Sequence, residues 1–261
     1  MMKKILLTLV LAIAALPAAF GWEVPQEKLT YDVMYKWGLI NKKAGDVTIT
    51  TSMKPGTPEF RALLTARTAK WADRFYHVRD TLKGSIAKAT FFPSYYEKIA
   101  REGGDFNHDI LVYDRSGGQV KADVKVARQK KDAKTVKRST KTLTSTGPTL
   151  DMLSAFYFMR SFDFAKLHKG QMVKVTVFSG REKEVLTIHF DNRDRVKVGK
   201  KEYDAFHITF TFTSRDGKKT SDNMDAWIST GPERIPLLLE GKLPVGKVRA
   251  VYSGPIPSTA G

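Results

Sequence analysis

One stretch of this chain is written at a helical period, while nearly everything around it alternates at period two. That contrast limits the folds open to the chain. The stretch is TLDMLSAFYFMR, Thr149 to Arg160, which follows a Gly147-Pro148 break. Met152, Phe156 and Met159 recur at i, i+4 and i+7, with Leu153 and Tyr157 on the neighbouring stripe. Leu150 and Phe158 carry apolar surface to the remaining face, so little of this helix wants water. Thr149 is placed to act as N-cap, and Asp151 falls in the first turn, where the macrodipole favours a carboxylate. Arg160 near the other end has the complementary sign. At ~1.5 Å per residue the segment spans about 18 Å, the width of a small sheet.

The flanking segments read as strands. Tyr31, Val33, Tyr35 and Trp37 alternate with polar positions, and Val47, Ile49, Thr51 and Met53 form the return arm of a hairpin. Trp71 to Tyr76 reads as a short helical or irregular connection after a strand over Phe60–Ala69. Phe206, Ile208, Phe210 and Phe212 face one way against His207, Thr209, Thr211 and Thr213, and Asp216-Gly217 supplies the following turn. About a dozen short strands at regular spacing argue an all-β fold, and one mid-chain helix does not predict βαβ units. The expected architecture is a curved antiparallel sheet, a half-barrel or open barrel, wrapped around one central apolar helix.

The chain opens MMKKILLTLVLAIAALPAAFG, with Lys3 and Lys4 before an apolar run and small residues at Ala19 and Gly21. This is the pattern of a secretory signal peptide over residues 1–21, cut before Trp22 and leaving one β-rich domain over residues 22–261. The apolar run is shorter than the ~20 residues of a spanning helix. No cysteine occurs, which excludes disulfides, Cys-bound metals and a lipid anchor. The expected location is the periplasm, and roughly 240 residues suffice for a core without staples. The formal charge is +17. Export argues against a nucleic-acid partner, so the anionic partners expected are lipid headgroups or acidic glycans, with peripheral membrane contact; the plain alternative is a basic, well-solvated surface with no such partner.

Chemistry-bearing motifs are sparse. Neither a Walker loop, HExxH, G-x-S-x-G nor G-x-G-x-x-G occurs, and no metal, cofactor or catalytic set is implied. His108 and Asp109 are adjacent on a strand and point apart, whereas His189 and Asp191 share a face. Basic residues crowd the hairpin between Lys121 and Lys141, against only Asp123 and Asp132. Lys125, Arg128, Lys130, Lys131 and Lys134 are the candidate anionic-surface contacts there. The plain alternative is a long hairpin whose lysines protect its edges. A sheet curving around one helix can also leave an apolar cleft. Trp37, Phe156, Tyr157, Arg160, Phe210 and Trp227 are the candidate cavity residues, with Arg160 at the rim; ordinary core packing is the plain alternative for these aromatics.

Several short patterns together resemble a family of exported bacterial proteins known as domain of unknown function 3108. They are Tyr31-x-Val33…Trp37-Gly38-Leu39-Ile40…Ala44-Gly45, Phe92-Pro93…Tyr96…Arg101-Glu102-Gly103, Asp151-x-Leu153-Ser154-Ala155-Phe156-Tyr157…Arg160, and Trp227-Ile228-Ser229…Arg234-Ile235-Pro236-Leu237. The resemblance spans nearly the whole chain after the leader and implies export and a β-rich fold. At fold level it is similar to the half-barrel of LolA- and LolB-type periplasmic lipoprotein carriers, although the chain lacks the cysteine of an anchored LolB. The function expected is binding or carrying a hydrophobic or anionic cell-envelope component, without covalent chemistry. The alternatives are a carboxylate-dependent enzyme on envelope glycans and an adaptor in envelope assembly.

Overall fold

The computed structural model describes residues 22–256, so the expected leader at 1–21 lies outside the described residues. Eight strands run in succession: β1 (Glu27–Trp37), β2 (Ile40–Met53), β3 (Glu59–Thr68), β4 (Val78–Ala87), β5 (Pro93–Glu102), β6 (Asp105–Asp114), β7 (Val120–Gln129) and β8 (Lys137–Ser145). A two-residue strand, β9 (Thr149–Leu150), leads into the helix α1 (Met152–Arg160). Six strands follow: β10 (Met172–Phe178), β11 (Lys183–Val198), β12 (Lys201–Ser214), β13 (Met224–Ser229), β14 (Pro236–Lys242) and β15 (Lys247–Tyr252).

All fifteen strands belong to one sheet in the order β8 through β1, then β15 back through β9. Consecutive hairpins build each half, and the two chain ends join the halves, with Tyr31 opposite Tyr252 and Lys36 opposite Lys247. The outer strands β8 and β9 then approach each other across the Gly147-Pro148 corner. The Ser145 hydroxyl donates to Thr176 Oγ1 at 3.3 Å, and Lys183 Nζ donates to the Thr144 carbonyl at 3.1 Å. The result is a nearly closed barrel with the helix inside one end.

Alternation decides which side chains fill it. Phe60, Ala62 and Leu64 on β3 turn inward with Ile86 on β4, Tyr96 on β5, Leu111 on β6 and Val124 on β7. Gly84 leaves room for Leu153 of the helix, since a Cβ there would stand 3.4 Å from its methyl. Phe206, Ile208 and Phe210 face the same core from β12.

Two local expectations need correction. The helix begins at Met152, and Asp151, not Thr149, is its N-cap. The Asp151 carboxylate accepts the Ser154 N–H at 2.7 Å while the Asp151 N–H donates to Ser154 Oγ at 2.7 Å, a reciprocal cap. Thr149 and Leu150 instead pair parallel with Thr176 and Val177, so β9–α1–β10 is a miniature βαβ unit. A helix returns the chain to the end it left, which makes the next strand parallel to the one before it. Past an irregularity between Phe190 and Asn192, β11 continues to Val198, because Gly199-Lys200 closes a hairpin on Lys201–Ala205.

Candidate functional site

The helix is locked at both ends. Arg160 is fully buried and forms a bidentate pair with Glu27, Nη1 to Oε1 at 2.6 Å and Nη2 to Oε2 at 3.2 Å. Its Nε and Nη2 also donate to the carbonyls of Arg234 and Glu233, each at 2.9 Å. The Trp22 ring lies 4.7 Å from the guanidinium. Arg234 in turn donates to the Arg160 and Phe162 carbonyls at the end of the helix. Tyr157 shares a 2.7 Å hydroxyl bond with Thr51, and burial raises its phenol to about 12. This end of the barrel is solid.

The other end is not. Nine helical residues measure about 14 Å, whereas an eleven-residue strand measures about 37 Å, so the plug stops well short of the far rim. The same inward columns continue there as small residues: Gly45 on β2, Ala66 on β3 and Ala72 in the β3–β4 connection. They leave a hollow of about 790 Å³, within the size range of small-molecule sites. Val33 and Tyr35 on β1, Val47 on β2, Val78 on β4 and Val248 on β15 form its walls. Trp37, Ile40, Trp71, Phe75, Tyr76 and Leu243 surround its mouth. Gly45 is required here: a Cβ would stand 2.4 Å from the Arg67 carbonyl oxygen. Trp71 is held by its indole N–H, which donates to the Lys43 carbonyl at 2.7 Å.

Of the residues expected to line a cavity, Trp37 stands at this mouth. Tyr157 and Arg160 are buried in the solid end, and Phe156 packs edge-on to Tyr157 there. Phe210 lies in the core of the second half. Trp227 stacks on His207 with ring centroids 4.5 Å apart, and its indole N–H donates to Asp194. The structure therefore does not bring these six together. Arg160 is spent on Glu27 and two carbonyls, so it stands at no rim.

The basic hairpin is likewise divided. Arg128 turns inward onto Asp109, donating through Nη2 at 2.5 and 2.7 Å. Lys125 is exposed on the opposite face of β7, where alternation must put it. Lys130 is paired with Asp105 at 2.6 Å, and Lys131 and Lys134 are exposed near it. The mouth residues Ile40, Phe75 and Leu243 were not among those expected from sequence. Phe75 and Leu243 carried a signal, as apolar side chains in connections, where Gly, Asn, Asp and Ser usually sit.

Titratable groups cluster elsewhere. Asp80 points into the barrel, and burial together with a hydrogen bond to Glu102 raises its carboxyl to about 7. Two carboxyls in hydrogen-bond contact are closer than the ~5 Å separation used for glycoside cleavage. His207 lies 2.9 Å from Asp225 and 3.8 Å from Asp191 on the outer face, while His108 bonds Glu97 at 2.8 Å. No group of three His, Asp or Glu side chains placed to hold a metal occurs among the described residues. Nor is any described helix long and apolar enough to cross a membrane.

Fold and site together define a β-barrel-like protein, plugged at one end by a helix and hollow at the other. The chain belongs to the DUF3108 family, described as a protein of unknown function, whose profile matches residues 30–252. Among solved structures it is similar to the crystal structure of a beta-barrel-like protein of domain of unknown function DUF1849 from Brucella abortus. That likeness has a TM-score of 0.58 at 8% identity and covers 89% of this chain and 97% of the other. It concerns the fold alone. No curated protein matches the chain.

Proposed function

We propose that this protein binds or carries a hydrophobic component of the cell envelope in the hollow end of its barrel, without covalent chemistry. The observation that carries this reading is the apolar hollow of about 790 Å³, continuous with an aromatic mouth. Burial of apolar surface contributes about 25 cal/mol per Å², and a preformed apolar site needs little rearrangement to provide it. Export to the periplasm is part of the same proposal. Cleavage after Gly21 would leave Trp22 first, and Trp22 is buried, stacked near Phe91 and bonded through its indole N–H to the Pro232 carbonyl at 3.0 Å. The mass of the exported protein, starting at Trp22 or not, checks that step.

The test of binding is displacement of a fluorescent apolar probe, with native mass spectrometry of protein taken from its own envelope. Ala66→Phe fills the hollow from β3 without touching the helix-filled end. Its expected effect is probe binding weakened by roughly tenfold or more, with the melting temperature kept or raised. Unchanged probe binding by that variant would remove the hollow from the mechanism.

A further inference from the structure

Three neighbouring connections end in apolar side chains that the protein itself does not cover. Leu39, in the β1–β2 turn, is 105% exposed, and Phe75, in the β3–β4 connection, is 82% exposed. Val245, in the β14–β15 turn, is 54% exposed. Backbone geometry ties these tips into one surface. The Tyr35 hydroxyl donates to the Val245 carbonyl at 3.1 Å, and Gly246 packs so closely that a Cβ would stand 2.4 Å from the Lys36 carbonyl. Trp71 is bonded to the Lys43 carbonyl of β2. Contiguous exposed apolar patches of this kind mark sites of interaction.

The charge around the patch states which partner fits. Lys36, Lys42, Lys70, Arg74 and Lys242 are exposed around it. The local carboxylates are already paired: Asp32 meets Lys43, Asp46 meets Lys43 and Arg67, Asp73 meets Arg79, and Glu240 meets Lys247 and Arg249. What remains is a cationic collar around an apolar, aromatic crown, the pairing that suits anionic headgroups above an acyl layer. The barrel wall differs. Mid-strand it carries charge such as the Lys83–Glu97–His108 relay, not the apolar band of a spanning barrel.

We propose that the mouth of the hollow is a docking surface for an anionic lipid bilayer. Leu39, Phe75 and Val245 enter the headgroup–acyl boundary, and the five exposed cations, of which Lys42 rests 4.4 Å over the Trp71 ring, meet the headgroups. The hollow then opens directly toward the acyl layer. The proposal assigns membrane contact to this end and not to the β7–β8 hairpin. It deepens the binding role proposed above, and its test separates the two.

The experiment is co-sedimentation of the purified full chain with vesicles of phosphatidylglycerol and phosphatidylethanolamine, against vesicles of phosphatidylcholine. The expected result is binding to the anionic vesicles, falling as salt rises. Leu39→Asp and Phe75→Ser remove exposed side chains, leave far-UV circular dichroism unchanged, and reduce that binding roughly tenfold or more. Lys42→Glu combined with Lys242→Glu reduces it on anionic vesicles, whereas Lys130→Glu combined with Lys134→Glu does not. Ala66→Phe, which blocks the hollow, keeps vesicle binding even while probe binding is lost. The proposal is overturned if the parent chain stays in the supernatant, if the two tip variants sediment as the parent does, or if the β7–β8 variant alone abolishes binding. Loss of sedimentation by Ala66→Phe would also overturn it, because contact would then need an open hollow and not a docking rim.

Discussion

Arg160 and Asp151 show how single residues set the behaviour of this barrel. Arg160 carries its charge into a site with no water access and recovers that cost only through Glu27 and two carbonyls. Arg160→Ala strands the Glu27 carboxylate and two acceptors, so we expect a loss of about 3–5 kcal/mol in chemical denaturation. Asp151 is the opposite case. Burial raises its carboxyl to about 7, although the Ser154 backbone and hydroxyl bonds pull it down. The folded chain therefore keeps a proton that the unfolded chain releases in the ordinary carboxylate range. This group's contribution is full at acid pH and is lost as pH rises from that range through about 7. Asp151→Asn keeps a capping oxygen and removes the ionisation. Its melting temperature should exceed the parent's at pH 8 and converge with it, or fall below, at pH 5. A parallel pH profile for the two proteins would sink this account.

At the scale of elements, the helix is held by its ends more than by its length. Nine residues are too few for a stable isolated helix, so packing and caps supply what propensity does not. Ser154→Ala removes the acceptor of the buried Asp151 N–H and should cost about 1–2 kcal/mol, read from the denaturation midpoint. The β2–β3 pair depends on Gly45 in a comparable way. Gly45→Val would drive a branched side chain against the Arg67 carbonyl, parting the strands where the hollow begins. We expect about 1–3 kcal/mol of destabilisation with weaker probe binding. The element reading from sequence succeeded where pattern is local. Period two located the strands of both halves, and the apolar stripe located the helix. It failed at boundaries decided by competition: Thr149 has the chemistry of a cap, but the Asp151–Ser154 reciprocal pair is better placed, and a strand partner at Thr176 claimed Thr149.

At the scale of the molecule, one long-range pairing closes the ring. Every other antiparallel contact in the sheet joins neighbours in sequence, whereas β1 meets β15 across nearly the whole described chain. Of all the antiparallel pairings it carries the largest loop-closure entropy cost. Removing β15, by ending the chain at Gly246, should expose the edges of β1 and β14 and the apolar wall beside Tyr31. We expect self-association on gel filtration and loss of a single cooperative unfolding transition. The candidate site was only partly legible for a related reason. Trp37 could be named from its alternating strand, but the hollow is bounded by five strands and two connections that nothing in the linear pattern places together. The five basic residues of the β7–β8 hairpin were grouped because they are close in sequence. The fold sends Arg128 inward to Asp109 and leaves Lys125 on the opposite face.

The amino-acid sequence alone determined the local grammar: strands at period two, one apolar helix after Gly147-Pro148, turns at glycines, and a core without disulfides. Each of these depends on residues a few positions apart, and side-chain chemistry at that range is written in order along the chain. The tertiary structure alone decided that Arg160 would be neutralised inside the barrel and that the helix would end halfway. It also decided that the small residues Gly45, Ala66 and Ala72 would converge on empty space. A hollow is a relation among distant residues, set by how far a rod reaches within a longer cylinder, and no single segment encodes that difference in length.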